Sequence, residues 1–415
     1  MKLPPGPKKL PIIGNMHHLL GSQMHHKLRD LAMIYGPLMH LQLGKISTII
    51  VSSPVIAKEI MQTHDVIFAQ RPYLLAPSVI SHNCNIGFST CGPYWRHLRK
   101  ICATEILTSK RVQSFGSIRE EVFNLISSFS FNKGSIINLS TRIFSMTYAI
   151  TARAAFGKQS KYQEEFIKCV EDVVKVYAGF SISDVYPSIK LLETISGMRG
   201  KHTKKEGDLE ENENALDVLL KIQKKGDLEV PLTRDNIKAV LMDIFAGGSD
   251  TSATTVEWAM AELLKNPLVM KRAQTEIRVV FQDKGNVEES DLWKIKYFQS
   301  VIKETMRLHP PLPLLLPRES KEPCEINGYI IPAKTRAIVN AWAIGRYLKQ
   351  WAKPEKFQPE RFLDSTVDYM GNDFHFMPFG AGRRICPGIL FGLADIELPL
   401  AQLLYHFVNS HQVMN

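Results

Sequence analysis

The chain has 415 residues, 45% of them hydrophobic, an ordinary composition for a globular protein and long enough for one large domain or two medium ones. Its net charge of +10 suits an acidic partner or an anionic membrane surface, but no zinc-finger spacing, RNP-like aromatic motif or basic run interleaved with aromatics is present, so nucleic acid is set aside. Six scattered cysteines with no C-x-x-C pair point to a reducing compartment rather than a disulfide framework.

Residues 1–10, "MKLPPGPKKL", form a basic Pro/Gly hinge, a stiff spacer of the kind that stands a domain off from something. The opening lacks the apolar core of a signal peptide, and no run reaches the about 18 apolar residues that a spanning helix needs. Residues 11–415 read as a single domain without internal repeats. "GPLMHLQLGKISTIIVSS" predicts two strands turning at Gly44 and Lys45. From Pro54 onward helical periodicity takes over, in "PVIAKEIMQTH", "PYWRHLRKICATEIL" and "REEVFNLISSF". The polar stretch "RGKHTKKEGDLEENENALD" predicts an exposed linker.

Thr233 is the N-cap of the longest predicted helix, which ends near Asn266 and Pro267. Gly247 and Gly248 sit at its centre, where each glycine costs about 1 kcal/mol against alanine. Two readings fit. Either something must approach the backbone there, next to the polar Ser249, Asp250, Thr251 and Ser252, or the pair is a tolerated kink whose neighbouring hydroxyls bond back one turn.

In "YFQSVIKETMRLHPP", Glu304 and Arg307 stand at i, i+3, the spacing of an ordinary surface ion pair. "KFQPERF" adds Arg361 in a proline-locked turn; folded back on the helix, it would make a fixed brace with that pair. Further on, Ile389, Leu393, Ile396, Leu400, Leu403 and Phe407 predict one apolar helical stripe, with Pro387 in the first turn and Cys386 at the helix N-terminus. Such a position lowers a thiol's pKa and favours the thiolate. Gly380 and Gly382 let the loop backbone pass close to a bulky flat object, and no histidine is placed by spacing to serve a cysteine nucleophile.

Together these motifs resemble the cytochrome P-450 family of haem-thiolate monooxygenases. Phe379, Gly382, Arg384, Cys386 and Gly388 occupy every fixed position of F-x-x-G-x-R-x-C-x-G. Gly247 to Ser252 match the oxygen-activating segment, Glu304 and Arg307 the E-x-x-R pair, "PERF" its third member, and "PYWRHLRK" the helix that meets a haem propionate. The resemblance implies a mainly α fold with a small β-rich part and haem b, iron protoporphyrin IX, between the long central helix and the cysteine-loop helix. It makes Cys386 the axial iron ligand, with Phe379 on the sulfur side, Gly382 in the haem loop, and Arg384, Trp95, Arg99 and Arg318 as propionate contacts. Asp250 and Thr251 become the proton relay, and Glu304, Arg307 and Arg361 structural supports.

Within the family, "FAQRP", "RLHPPLPLLLPRES" and "FGAGRRICPG" are similar to the plant microsomal branch, particularly members acting on sesquiterpenes. That implies a lipophilic substrate in a pocket drawn from "LLAPSVISHNCNIGF", Ala246 and residues 311–316. It also implies residence at the cytosolic face of the endoplasmic reticulum membrane. Electrons would come from an NADPH-dependent cytochrome reductase docking near Arg96, Lys100 and Arg383, since "GAGRRI" lacks the third glycine and preceding strand of a dinucleotide loop. The sequence departs from its relatives in opening at the hinge, in a short Gly197–Asn214 segment and in ending soon after the cysteine helix. A competing reading is therefore a haem-binding but catalytically silent truncated or alternative-transcript product; a peroxide-rearranging member and a plain helical scaffold are weaker alternatives.

Overall fold

The computed structural model describes residues 2–407, apart from residues 20, 22, 132–135, 158–166, 169, 171, 175–183, 186–213 and 227–230. The predicted polar linker and the Gly197–Asn214 segment fall almost wholly outside the described residues, as do residues 408–415.

The predicted hairpin is present: β1 (Leu38–Leu43) pairs antiparallel with β2 (Ile46–Val51), Leu38 opposite Val51 and Leu43 opposite Ile46. Gly44 turns the chain at φ +56°, a value that costs glycine little. Further along lie β3 (Arg318–Glu319), β4 (Cys324–Ile326), β5 (Tyr329–Ile331) and β6 (Arg336–Val339). The larger sheet has the order β1-β2-β6-β3 with β2 and β6 parallel, so strands from the two ends of the chain are neighbours; β4 and β5 form a separate ribbon. The hinge residues lie along this β part. His40 N–H donates to the Pro5 carbonyl at 2.8 Å, Ile330 N–H donates to the Lys2 carbonyl at 3.1 Å, and Pro4 and Pro7 are buried.

The helices that position the site are α1 (Met24–Tyr35), α2 (Asp65–Phe68), α3 (Pro93–Ile101), α4 (Gly116–Phe131), α5 (Leu139–Phe156), α6 (Ala215–Lys225), α7 (Arg234–Lys265), α8 (Pro267–Phe281), α9 (Lys296–Leu308) and α10 (Ile389–His406). Helix α7 is the predicted long helix. Thr233 and Asn236 close a reciprocal capping box at its start and Asn266 caps its end, so its 32 residues cross the domain as one element of about 48 Å. Its apolar side chains Phe245, Val256 and Leu263 join one core with Ile143 and Ile150 of α5, Phe298 and Val301 of α9, and Ile396 and Leu400 of α10. No described helix is long and apolar enough to cross a membrane.

The predicted stripe of α10 is buried from Ile389 to Leu403, but its last member, Phe407, caps the helix and is 37% exposed. The helix begins at Ile389 with Gly388 as its N-cap. Pro387 therefore precedes the first turn instead of sitting in it, and Cys386 lies before the helix N-terminus rather than at it.

Candidate functional site

The loop from Phe379 to Gly388 is shaped by two left-handed glycines, Gly380 at φ +72° and Gly382 at φ +66°. A Cβ on Gly382 would fall 2.0 Å from the Met61 carbonyl oxygen, so this position admits glycine alone. Cys386 N–H donates to the Phe379 carbonyl at 3.0 Å and closes the loop, while Gly388 N–H points at Cys386 Sγ at 3.3 Å. Phe379 is half-buried, edge-on to Tyr369, and a Cβ on Gly392 of α10 would touch its ring at 3.9 Å. Burial pushes the Cys386 thiol up, with the Gly388 N–H and the Arg99 guanidinium pulling the other way. The sequence reading expected the opposite direction. A thiol held before the helix, in a low-dielectric interior, loses more to desolvation than it gains from one N–H and one guanidinium.

Four guanidiniums converge beside this loop. Arg384 is buried, donates to the carbonyls of Ala69 (2.8 Å), Ile86 (3.3 Å) and Ser89, and stacks over the Trp95 ring at 4.0 Å. Trp95 donates from Nε1 to the Ile86 carbonyl at 3.1 Å. Arg318 donates to Asp65 Oδ1 at 3.2 Å and to the Ala381 carbonyl at 2.7 Å. Arg99 of α3, half-buried, reaches the carbonyl of Ile385, next to the cysteine. The fourth, Arg71, lies in "FAQRP", where the sequence alone assigns it no role. It is buried and donates to the carbonyls of Gly87 (2.8 Å), Leu316 (3.0 Å) and Pro317 (2.7 Å). Burial and the neighbouring Arg384, Arg318 and Arg99 charges hold Arg71 well below its ordinary pKa, so the four groups feel one another. Arg96, Lys100 and Arg383 are exposed.

On α7, Gly247 is exposed although it sits mid-helix in the middle of the domain, and a Cβ there would meet nothing within 4 Å. Gly248 is the reverse, its Cβ position lying 2.9 Å from the Phe391 ring of α10. The glycine pair thus answers both sequence readings: one glycine admits a close helix contact and the other opens a space. Thr251 Oγ1 donates to the Gly247 carbonyl at 2.6 Å, the back-bonded geometry of the second reading, and remains partly accessible. Asp250 accepts from the Tyr148 hydroxyl of α5 at 2.8 Å. On the contact side of α7, the Ser249 and Ser252 hydroxyls and both carboxyl oxygens of Asp395 on α10 are buried without a hydrogen-bond partner among the described residues. Burial alone pushes the Asp395 carboxyl well above the usual carboxylate range.

The predicted pocket segments meet. A Cβ on Gly87 would lie 3.7 Å from Leu316 and 3.8 Å from the Asp243 carboxylate, one turn before Gly247. Asp243 was missed in the sequence, where it is a lone acid in the apolar run "AVLMDIFAGG". It accepts from Gly87 N–H at 2.9 Å, from Asn85 Nδ2 at 2.7 Å and from the Ile86 N–H; burial outweighs these bonds and pushes its carboxyl up to about 6.

Farther off, Glu304 and Arg307 are closed to solvent, 0% and 1% exposed. Arg307 donates to both Glu304 oxygens at 2.7 and 2.8 Å, and Arg361 Nε and the Gln358 N–H add 3.0 and 2.8 Å bonds to Oε1. Arg307 also reaches the carbonyls of Gly345, Pro354 and Lys356. The pair that resembled a surface i, i+3 bridge is a buried clamp on the segment from residue 345 to residue 361.

A sequence profile of the cytochrome P450 family matches residues 4–413. Cytochrome P450 71BT1 of Catharanthus roseus is 52% identical over 98% of this chain and 86% of its own length. Premnaspirodiene oxygenase of Hyoscyamus muticus is 48% identical over the same shares, as at 52% is tabersonine 16-hydroxylase 1 of Catharanthus roseus. A zebra fish cytochrome P450 solved with progesterone superposes with a TM-score of 0.79 at 25% identity, covering 93% of this chain and 92% of its own. The chain belongs to the cytochrome P450 family and is a haem-thiolate monooxygenase.

Its residues fit the cofactor that the family implies. Buried guanidiniums need anions, and among the described residues Asp65 is the one carboxylate paired within the cluster of four, so the site is short of negative charge that two carboxylates of a haem would supply. A buried thiol, partly accessible from the interior, is a ligand that a bound metal would hold as thiolate.

Proposed function

We propose that this chain holds haem b through Cys386 and hydroxylates a lipophilic small molecule, a sesquiterpenoid or related plant specialised metabolite, with electrons from an NADPH-dependent reductase. The observation that carries the reading is the pairing of a largely buried thiol with a cation-rich, anion-poor cluster on one side, and an open, glycine-lined helix centre, Gly247, with a neighbouring hydroxyl, Thr251, on the other. When bound, the haem supplies the redox chemistry, its thiolate ligand favouring O–O cleavage. In balance, one oxygen atom enters a C–H bond and the other leaves as water, consuming two electrons and two protons.

This chain's residues do the rest. Arg384, Arg318, Arg99 and Arg71 hold the cofactor carboxylates, with Trp95 stacked beneath Arg384. Phe379 covers the sulfur. Asp250, oriented by Tyr148, and Thr251 move protons inward from a site whose apolar walls exclude water. Glu304, Arg307 and Arg361 keep the scaffold in register. Residues 74–88, Ala246 and residues 311–316 give the substrate a mostly apolar wall, which supports recognition by shape. Exposed Arg96, Lys100 and Arg383 suit an acidic reductase surface, and the microsomal character of such plant enzymes supports placement at the endoplasmic reticulum membrane.

The test is to reduce the purified chain under carbon monoxide and then assay it with a plant reductase, NADPH and either premnaspirodiene or tabersonine, the compounds named for two relatives. A strongly red-shifted Soret band and hydroxylated premnaspirodiene support the whole reading. Turnover of tabersonine alone overturns the substrate class and leaves the chemistry standing; absence of the red-shifted band overturns the thiolate assignment.

A further inference from the structure

We propose that Asp65 is a positioning residue for the cysteine loop and the balancing charge of the arginine cluster, sharing Arg318 with the carboxylates of the cofactor. This rests on the haem-thiolate reading above.

Asp65 opens α2, more than 300 residues before the loop it touches, and is buried. Its two oxygens are divided between two tasks. Oδ1 accepts from Arg318 Nη1 at 3.2 Å. Oδ2 accepts from the backbone N–H of Arg383 at 3.0 Å, with the Arg383 guanidinium 3.4 Å away. The carboxylate also lies hard against the left-handed turn: a Cβ on Gly382 would stand 2.9 Å from Oδ1. Asp65 thus fixes the backbone at residues 382–383, three positions before the cysteine, and orients a guanidinium that also donates to the carbonyl of Ala381 in the same loop.

Its charge matters as much as its geometry. Arg99, Arg318 and Arg384 all feel the Asp65 carboxylate, which offsets part of the burial that disfavours their charged forms. Without it, four guanidiniums face one another across a low-dielectric interior. Bound carboxylates would then be the cluster's sole anions, and a metal centre beside it would sit in a more positive field, which favours the reduced state.

The experiment compares the wild-type holoprotein with Asp65→Asn and Asp65→Ser by the carbon monoxide difference spectrum and by potentiometric titration. Asp65→Asn keeps an acceptor for the Arg383 N–H and loses the charge. Its expected result is a retained red-shifted Soret band with a midpoint potential moved to more positive values. Asp65→Ser loses charge and reach together; the expected result is the same positive shift plus partial loss of the red-shifted band. Asp65→Glu, which restores the charge, should bring the potential back toward wild type. A wild-type band with the Asn and Ser potentials both unchanged overturns the proposal while the family reading stands. A wild-type chain that binds haem without a red-shifted band overturns both.

Discussion

Asp243 on the long helix accepts a hydrogen bond from the backbone N–H of Gly87 at 2.9 Å, so one carboxylate ties the loop at residues 85–87 to the helix that carries Gly247 and Thr251. Asp243→Ala leaves three N–H donors, those of buried Asn85 and Ile86 and half-buried Gly87, without this acceptor. The expected cost is about 3 kcal/mol, since each such group forfeits roughly 1–3 kcal/mol and part is recovered by water. Thermal unfolding checks the loss, and limited proteolysis should show cleavage moving into the loop around Gly87.

The same carboxyl predicts a pH dependence. Its pKa in the folded chain, about 6, lies above the ordinary carboxylate value of about 4, so the folded state prefers the protonated form. The stabilisation is fully present below about pH 4 and is lost as pH rises through about 6, roughly 3 kcal/mol in all. Asp243→Asn cannot ionise. The difference in unfolding midpoint between wild type and Asp243→Asn should therefore shift against wild type between pH 4 and 6 and stay level above pH 7; a difference that is flat throughout contradicts it.

The adjacent glycines should behave oppositely. Gly248→Ala drives a methyl to 2.9 Å from Phe391, an overpacking expected to cost about 1–3 kcal/mol and to be relieved by Phe391→Leu. Gly247→Ala meets nothing within 4 Å and should raise stability by up to about 1 kcal/mol through helix propensity, while turnover falls because the methyl enters the open space. Thermal melts of the four proteins decide this.

Glu304→Gln keeps the shape of the clamp and removes its charge, leaving buried Arg307 and half-buried Arg361 against an amide. Breaking one side of a buried ion pair costs about 3–5 kcal/mol. The yield of soluble holoprotein should collapse, whereas Arg272→Gln, which loses an exposed bridge to Glu360 and a stacking contact over the Tyr297 ring, should lower the yield far less.

Tyr148→Phe removes the donor to Asp250 without touching the loop of Cys386. The carbon monoxide spectrum should stay as in wild type, with stability down by about 1–2 kcal/mol. If Asp250 serves the proposed relay, product formed per NADPH consumed should drop. An unchanged ratio removes Asp250 from the relay.

What could be read from the sequence was local. Thr233 and Asn266 bound the long helix because caps act within one turn, and the β1–β2 hairpin announced itself through Gly44 and its β-branched neighbours. Glu304, Arg307 and Arg361 were legible as a possible brace, but not their burial, which comes from the segment 345–361 folding over them. Asp65, Arg71 and Asp243 were invisible as site residues. A buried arginine or aspartate has no period and no fixed spacing to its partners, and apart from Gly87, which Arg71 meets 16 residues on, these partners lie 156 to 318 residues away. The direction of the Cys386 shift was misjudged for a related reason. Helix position was inferable to within a turn, while the desolvation that decides the sign depends on everything packed around the sulfur.

The arginine cluster also constrains the order in which the protein can be made. Arg71 waits for Leu316, 245 residues on; Arg99 waits for Ile385, 286 residues on; Arg384 closes on Ala69 across 315 residues. At a ribosome adding about 5–20 residues per second, the early arginines emerge well before these distant partners. Contacts of such long range close slowly even after release. The cofactor site is therefore complete only after nearly the whole chain has been made, and a holdase or a lowered growth temperature during expression should raise the holoprotein fraction more than any supplement of cofactor precursor.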